Sequence, residues 1–120
     1  MNKRNVGKFG ERIACRYLKS RGYKLVCRNW TCHWGEIDIV ALTNSRELVF
    51  VEVKYVRSEL FLKPYELFTA RKRKSLLRAI DIFLEKNRKS VESWRLDLVC
   101  VSNNKGSLKI EHYRNVLAEY

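Results

Sequence analysis

The sequence has one proline, five glycines and no apolar run approaching the roughly 20 residues that a membrane helix needs. A membrane-spanning helix is therefore not expected. Its basic start, Met1-Asn2-Lys3-Arg4, lacks the apolar segment of a secretory signal, and the expected location is the cytoplasm. The four cysteines, Cys15, Cys27, Cys32 and Cys100, contain no CxxC pair. Cys27, Cys32 and His33 lack the tight paired spacing of structural zinc ligands, which argues against zinc. Cys15, Cys27 and Cys100 fall in apolar phases and read as small hydrophobes, reduced as in a cytosolic protein. Internal repeats, linkers and low-complexity tracts are absent as well. Acidic residues are scarce: 13 Asp and Glu stand against 25 Lys and Arg, a net charge of +12.

What is present is enough for a core. With 46% hydrophobic residues among 120, the chain is expected to form one folded, soluble domain over residues 1–120. The cationic excess favours polyanionic partners, above all nucleic acid, over a generic basic surface that meets ribosomes or acidic lipid.

Periodicity predicts a helix over Val6–Arg21 stopped by Gly22, with Val6, Phe9, Ile13, Ala14, Tyr17 and Leu18 on one arc. Glu11 falls inside the apolar half. It reads either as a paired structural acid or as a group projecting toward other carboxylates. A strand over Tyr23–Asn29 follows, then an aromatic turn W-T-C-H-W-G. Trp30, His33 and Trp34 have the chemistry to stack on bases, but tryptophan in a small domain is more often core or core margin, and that reading is preferred. After an irregular segment Tyr55–Pro64, a long helix is expected over Thr69–Asn87 with Thr69 as N-cap. Its first turn carries Arg71, Lys72 and Arg73, the wrong sign for a helix N-terminus, which suggests that an anion belongs there. Lys72 is in phase with the apolar face and should lean toward the sheet; the plain alternative is a snorkelling lysine. A strand Trp94–Val101, a turn S-N-N-K-G and a strand Leu108–Tyr113 complete the chain. Arg95 and Asp97 share a face, compatible with a cross-strand ion pair. Short connections make the first three strands antiparallel neighbours, and the helix between the third and fourth makes those two parallel. The expected class is α/β, a central mixed β-sheet flanked by helices.

The segment Gly35–Lys54 carries the chemistry. It reads as a hairpin, G-E-I-D-I-V-A-L and E-L-V-F-V-E-V-K around T-N-S-R. Alternation points Glu36 and Asp38 one way and Ile37, Ile39 and Ala41 the other. Phe50, Glu52 and Lys54 share a face opposite Val49, Val51 and Val53. Carboxylates inside strands that want burial need a partner, a metal or a task. Asp38 and Glu52 offer hard oxygen ligands of the kind magnesium takes, completed by a backbone carbonyl such as that of Val53 and by waters. Lys54 lies within reach of the same water or phosphate. The alternative is a buried ion-pair network.

Asp38 followed by Glu52-Val53-Lys54 resembles the PD-(D/E)xK signature of restriction-endonuclease-like nucleases. The wider pattern is similar to the YraN-like family of predicted endonucleases, distant relatives of archaeal Holliday junction resolvases. It comprises G-x-x-G-E-R-I-A at Gly7–Ala14, Tyr17-Leu18, Gly22-Tyr23, Arg28-Asn29, G-E-I-D-I-V-A at Gly35–Ala41, V-F-V-E-V-K at Val49–Lys54, Arg57, Lys72 and R-L-D at Arg95–Asp97. Two departures stand out: Ile37 occupies the place of the proline that names the motif, and Phe61-Leu62-Lys63-Pro64 lacks an expected glycine. The resemblance implies a restriction-endonuclease-like αβββαβ core, with metal ligation by Asp38 and Glu52 and Lys54 as catalytic lysine. It adds Glu11 as a metal ligand and makes Arg57 and Lys72 phosphate contacts. Arg71 and Arg73 join them as nucleic-acid-binding candidates through their charge at the helix N-terminus, not through the resemblance. The expected activity is Mg2+-dependent hydrolysis of DNA phosphodiesters, with Mn2+ as substitute, on branched or damaged DNA. Junction-resolving relatives work as dimers, so a homodimer is the assembly to test. The competing readings are a non-catalytic nucleic-acid-binding accessory protein on the same fold and a protein-interaction or structural role.

Overall fold

The computed structural model describes residues 3–56, 66, 68–87 and 91–117, with side chains from Val6 onward. Elements follow in the order α1 (Lys3–Ser20), β1 (Lys24–Cys32), β2 (Gly35–Leu42), β3 (Glu47–Val56), α2 (Ala70–Lys86), β4 (Ser93–Asn104) and β5 (Ser107–Tyr113). This is the order expected from sequence, the αβββαβ core followed by a last strand. The sheet runs β1-β2-β3-β4-β5. Antiparallel pairing joins β1 to β2, β2 to β3 and β4 to β5, while β3 and β4 are parallel across the α2 crossover.

Two cores form because a strand sends alternate side chains to opposite faces. Val49 and Val51 pack with Ala14, Cys15 and Leu18 of α1, on one face. Leu48 and Phe50 pack with Leu76, Ala79, Ile80 and Phe83 of α2, on the other. Thr69 caps α2, its hydroxyl accepting the Lys72 N–H at 3.2 Å. The chain enters α1 earlier than periodicity indicates, and β1 runs on to Cys32 where an aromatic turn was expected. Trp30 therefore sits in a strand, edge-on to Phe83 with ring centroids 5.3 Å apart. Between β4 and β5 the expected loop narrows to Lys105 and Gly106, both at positive φ (53° and 86°), the conformation that a two-residue hairpin turn requires.

One irregularity positions the site. Asn29 adopts a left-handed backbone, φ 52°, which asparagine tolerates better than most residues. The β1–β2 ladder pairs Arg28 with Ile39 and Trp30 with Ile37, passing over Asn29 and Asp38. Both strands change face there. Cys27 and Trp30 pack on the α2 side although three residues apart, and so do Val40 and Ile37. The expectation that Ile37 shares a face with Ile39 and Ala41 is thus corrected: those two pack on the α1 side. Strict alternation failed because the paired kink shifts its phase by one residue.

Candidate metal and phosphate site

A second break in pairing lies beside the first. The β2–β3 ladder ends at Ile39 opposite Val51. Continued by its own register, it would set Asp38 opposite Glu52. Instead the Asp38 carboxylate accepts the Val53 N–H at 2.8 Å, so a side chain satisfies a donor that strand pairing leaves open. Because a strand residue directs its N–H and C=O to the same edge, the Val53 carbonyl also faces this parting of the strands.

Three carboxylates converge there. Glu11 of α1, Glu36 and Asp38 each offer an oxygen, and these lie within 4.8 Å of one another. Gly10 lets α1 approach this closely: a Cβ at that position would lie 2.9 Å from the Tyr55 Cβ on β3. Glu52 is 2% exposed and faces α2, where its Oε2 meets Lys72 Nζ at 3.2 Å and Lys54 Nζ at 3.6 Å. Its other oxygen, Oε1, is buried without a hydrogen-bond partner, as is Glu11 Oε1. Such orphaned acceptors are rare in folded proteins.

The electrostatics agree. Burial, the nearby Glu52 charge and a hydrogen bond to Glu52 raise the Asp38 pKa to about 7, against lowering by the Val53 N–H and Lys72. Glu11 is raised by burial and then by Asp38, and Glu36 by the same two causes in the same order. A divalent cation among Glu11, Glu36 and Asp38 would offset their repulsion and offer the orphaned Glu11 carboxylate a partner. Glu52 stands outside this close group and acts on Asp38 from the α2 side. The hard oxygen donor set fits such an ion.

Of the sequence candidates, Glu11, Asp38, Glu52, Lys54, Val53 and Lys72 come together. Lys72 does lean onto the sheet. Arg71 and Arg73 are exposed on the first turn of α2, a turn that contains no acidic residue. Arg57 and the segment Phe61–Pro64 lie outside the described residues. Glu36 went unassigned by sequence reasoning; its place two residues before Asp38 was the available signal. Trp34 was read as core or core margin but is 43% exposed.

A second cluster of buried charge contrasts with this one. Asp97 of β4, 0% exposed, accepts from Arg95 Nε at 3.0 Å, His112 Nε2 at 2.7 Å and the Asn115 N–H at 2.9 Å. Arg95 continues to Glu47 on β3 and donates to the Tyr23 hydroxyl at 2.7 Å. The Arg95–Asp97 pair lies within one strand, and Arg95–Glu47 is the cross-strand bridge.

The fold and the acidic cluster together define an α/β protein whose αβββαβ core opens, between β2 and β3, onto carboxylates facing lysines. The model of uncharacterised protein family UPF0102 matches residues 10–101, and the chain belongs to that family, the YraN-like family to which its motifs pointed. It is 35% identical over 117 residues to a UPF0102 protein of Carboxydothermus hydrogenoformans, covering 98% of each chain. To one of Caldicellulosiruptor saccharolyticus it is 39% identical over 104 residues, 87% of each. Among solved structures it is similar to a repair endonuclease from Pyrococcus abyssi at TM-score 0.46 and 18% identity, covering 78% of this chain and 38% of that one.

Proposed function

We propose that the protein is a divalent-metal-dependent nuclease that hydrolyses DNA phosphodiester bonds, with branched or damaged DNA as substrate class. The observation that carries this reading is the pair of orphaned, buried carboxylate oxygens, Oε1 of Glu11 and Oε1 of Glu52, on the two carboxylates that act on Asp38, with two lysines held at the other oxygen of Glu52. A network built only for stability would pair these atoms. Clusters of titratable groups held in this state gather at functional sites.

Glu11, Asp38, Glu52 and the Val53 carbonyl, joined by Glu36, are the residues that would hold Mg2+, or Mn2+ in its place. Such an ion supplies charge neutralisation at a phosphoryl oxygen and a more acidic water. The chain's own groups do the rest. Lys54 extends from β3 beside Glu52 and is placed to orient the attacking water or to stabilise charge developing on the phosphate. Lys72 and the exposed Arg71 and Arg73 hold the substrate backbone, since the α2 N-terminus adds its positive dipole end to theirs. If the substrate is a four-way junction, two strands must be cut and a homodimer supplies both sites; sedimentation of the protein alone and on junction DNA reads that.

The test is incubation with linear, single-stranded and four-way-junction DNA in Mg2+ or Mn2+. Cleavage is expected, with Asp38→Ala and Lys54→Ala reducing it at least about a hundredfold, the usual loss for one transition-state contact. No cleavage, or cleavage indifferent to both changes, contradicts the proposal. Salt-dependent binding without cleavage would instead favour an accessory binding protein.

A further inference from the structure

Trp34 is the unexplained aromatic. It lies in the β1–β2 turn and is 43% exposed, although a tryptophan there gains by burial. The turn is nonetheless held firmly. Ser75 of α2 donates its hydroxyl to the Trp34 carbonyl. Arg78, one turn further along α2, sits over the indole ring with its guanidinium carbon 4.2 Å from the centroid. His33 packs edge-on against the same ring, centroids 5.2 Å apart. Gly35 permits the turn, at φ 147° and with Ser75 Oγ only 3.0 Å from where a Cβ would lie. A fixed indole is therefore presented to solvent by two elements that both lead to the carboxylates. Asp38 is four residues along β2, about 13 Å at strand rise. Lys72 is one helical turn from Ser75, about 4.5 Å.

The charge around it selects a partner. Arg71, Lys74 and Arg78 are all exposed and, at spacings of three and four, share one face of α2. This basic row spans about 10 Å and ends at the indole. A phosphate backbone following the row would bring a base to the ring.

We infer that Trp34, fixed by Arg78 and Ser75, is a stacking platform for an unpaired nucleobase next to the cleavage site. This inference rests on the nuclease reading for its nucleic-acid partner, and it narrows the substrate to DNA with a base outside the duplex stack. A duplex interior hides its base faces, whereas a bulge, flap or junction exposes them.

The experiment is metal-free, so hydrolysis does not enter it. Affinity is measured in EDTA for two fluorescent DNA duplexes, identical except that one carries a single bulged adenine and the other an abasic site there. The wild-type protein is expected to prefer the adenine about tenfold, within the range of one base–aromatic stack. Trp34→Ala abolishes the preference and Trp34→Phe retains part of it, both with unchanged circular dichroism. Equal wild-type affinity for the two duplexes, or a preference that survives Trp34→Ala, overturns the platform. So does a loss in Trp34→Ala that is equal on both duplexes. A preference that behaves as expected in a protein that cuts neither these duplexes nor linear, single-stranded or four-way-junction DNA in Mg2+ or Mn2+ upholds the platform and rejects the nuclease reading.

Discussion

Asp97 and Asp38 are aspartates in neighbouring parts of one sheet, each near a basic side chain, yet their carboxyl groups are displaced in opposite directions. Asp97 is held below the usual carboxylate range: burial pushes it up, and hydrogen bonds from His112, Arg95 and the Asn115 N–H outweigh that push. Asp38 is raised to about 7 because one backbone donor faces burial and an adjacent carboxylate. Burial alone does not separate the two; the supply of donors does. At Asp97 the protein closes the network with its own groups. Around Asp38 it stops short, leaving oxygens of Glu11 and Glu52 unpaired and a strand ladder cut off at Ile39. The first arrangement stabilises the fold. The second costs stability, a cost that the cation of the proposed function would offset.

The comparison breaks most visibly at Asp97. Asp97→Ala leaves Arg95 and His112 without their buried partner and is expected to cost about 3–5 kcal/mol, read by urea denaturation at pH 7. The stabilisation from Asp97 is present above its unfolded pKa, near the ordinary value of 3.8, and disappears as pH falls through its lower folded value. A smaller effect is expected from Gly10→Ala. The added methyl meets Tyr55 and costs about 1 kcal/mol net, overpacking offset in part by helix propensity. It moves Glu11 without touching Asp97, so affinity for Mn2+ should fall severalfold while the Asp97 network is unchanged by NMR.

The last effect has the opposite sign. Asp38→Asn retains an acceptor for the Val53 N–H and removes a charge that the apo fold disfavours. In wild-type protein the native state holds a proton on Asp38 between its ordinary pKa of 3.8 and about 7, while the unfolded chain does not. Wild-type stability therefore falls as pH rises through that window and levels off above it. The variant escapes this loss. In EDTA it should melt several degrees above wild type at pH 8 and close to wild type at pH 4.

The element order was legible because each element carries a local signal. Gly22 stops α1, Thr69 caps α2, and the α2 crossover dictates that β3 and β4 run parallel. The faces of β3 were also readable, since Phe50 and Glu52 alternate regularly with Val49 and Val51. The face of Ile37 was not. A left-handed Asn29 on a different strand resets its phase, and that pairing is non-local. The same kink sets Glu36 beside Glu11 and Asp38; its place two residues before Asp38 hinted at the second contact, while the first comes from a different element. Asp97's partner His112 and Arg95's partners Tyr23 and Glu47 come from other elements of the chain, and only the Arg95–Asp97 pair, two residues apart on the same strand, was visible. For Trp34 the sequence admits base stacking but the core reading is preferred, because composition favours burying tryptophan and cannot reveal that Arg78 holds one at the surface.

The most direct test of a carboxylate cluster left open for a cation is calorimetric titration with Mn2+ at pH 6 and pH 8, in buffers of differing ionisation enthalpy. Binding is expected to release more protons at pH 6, where Asp38 is still largely protonated, than at pH 8, and to be lost in Asp38→Asn. Absence of Mn2+ binding, or equal binding by wild type and Asp38→Asn with no pH-dependent proton release, would contradict it.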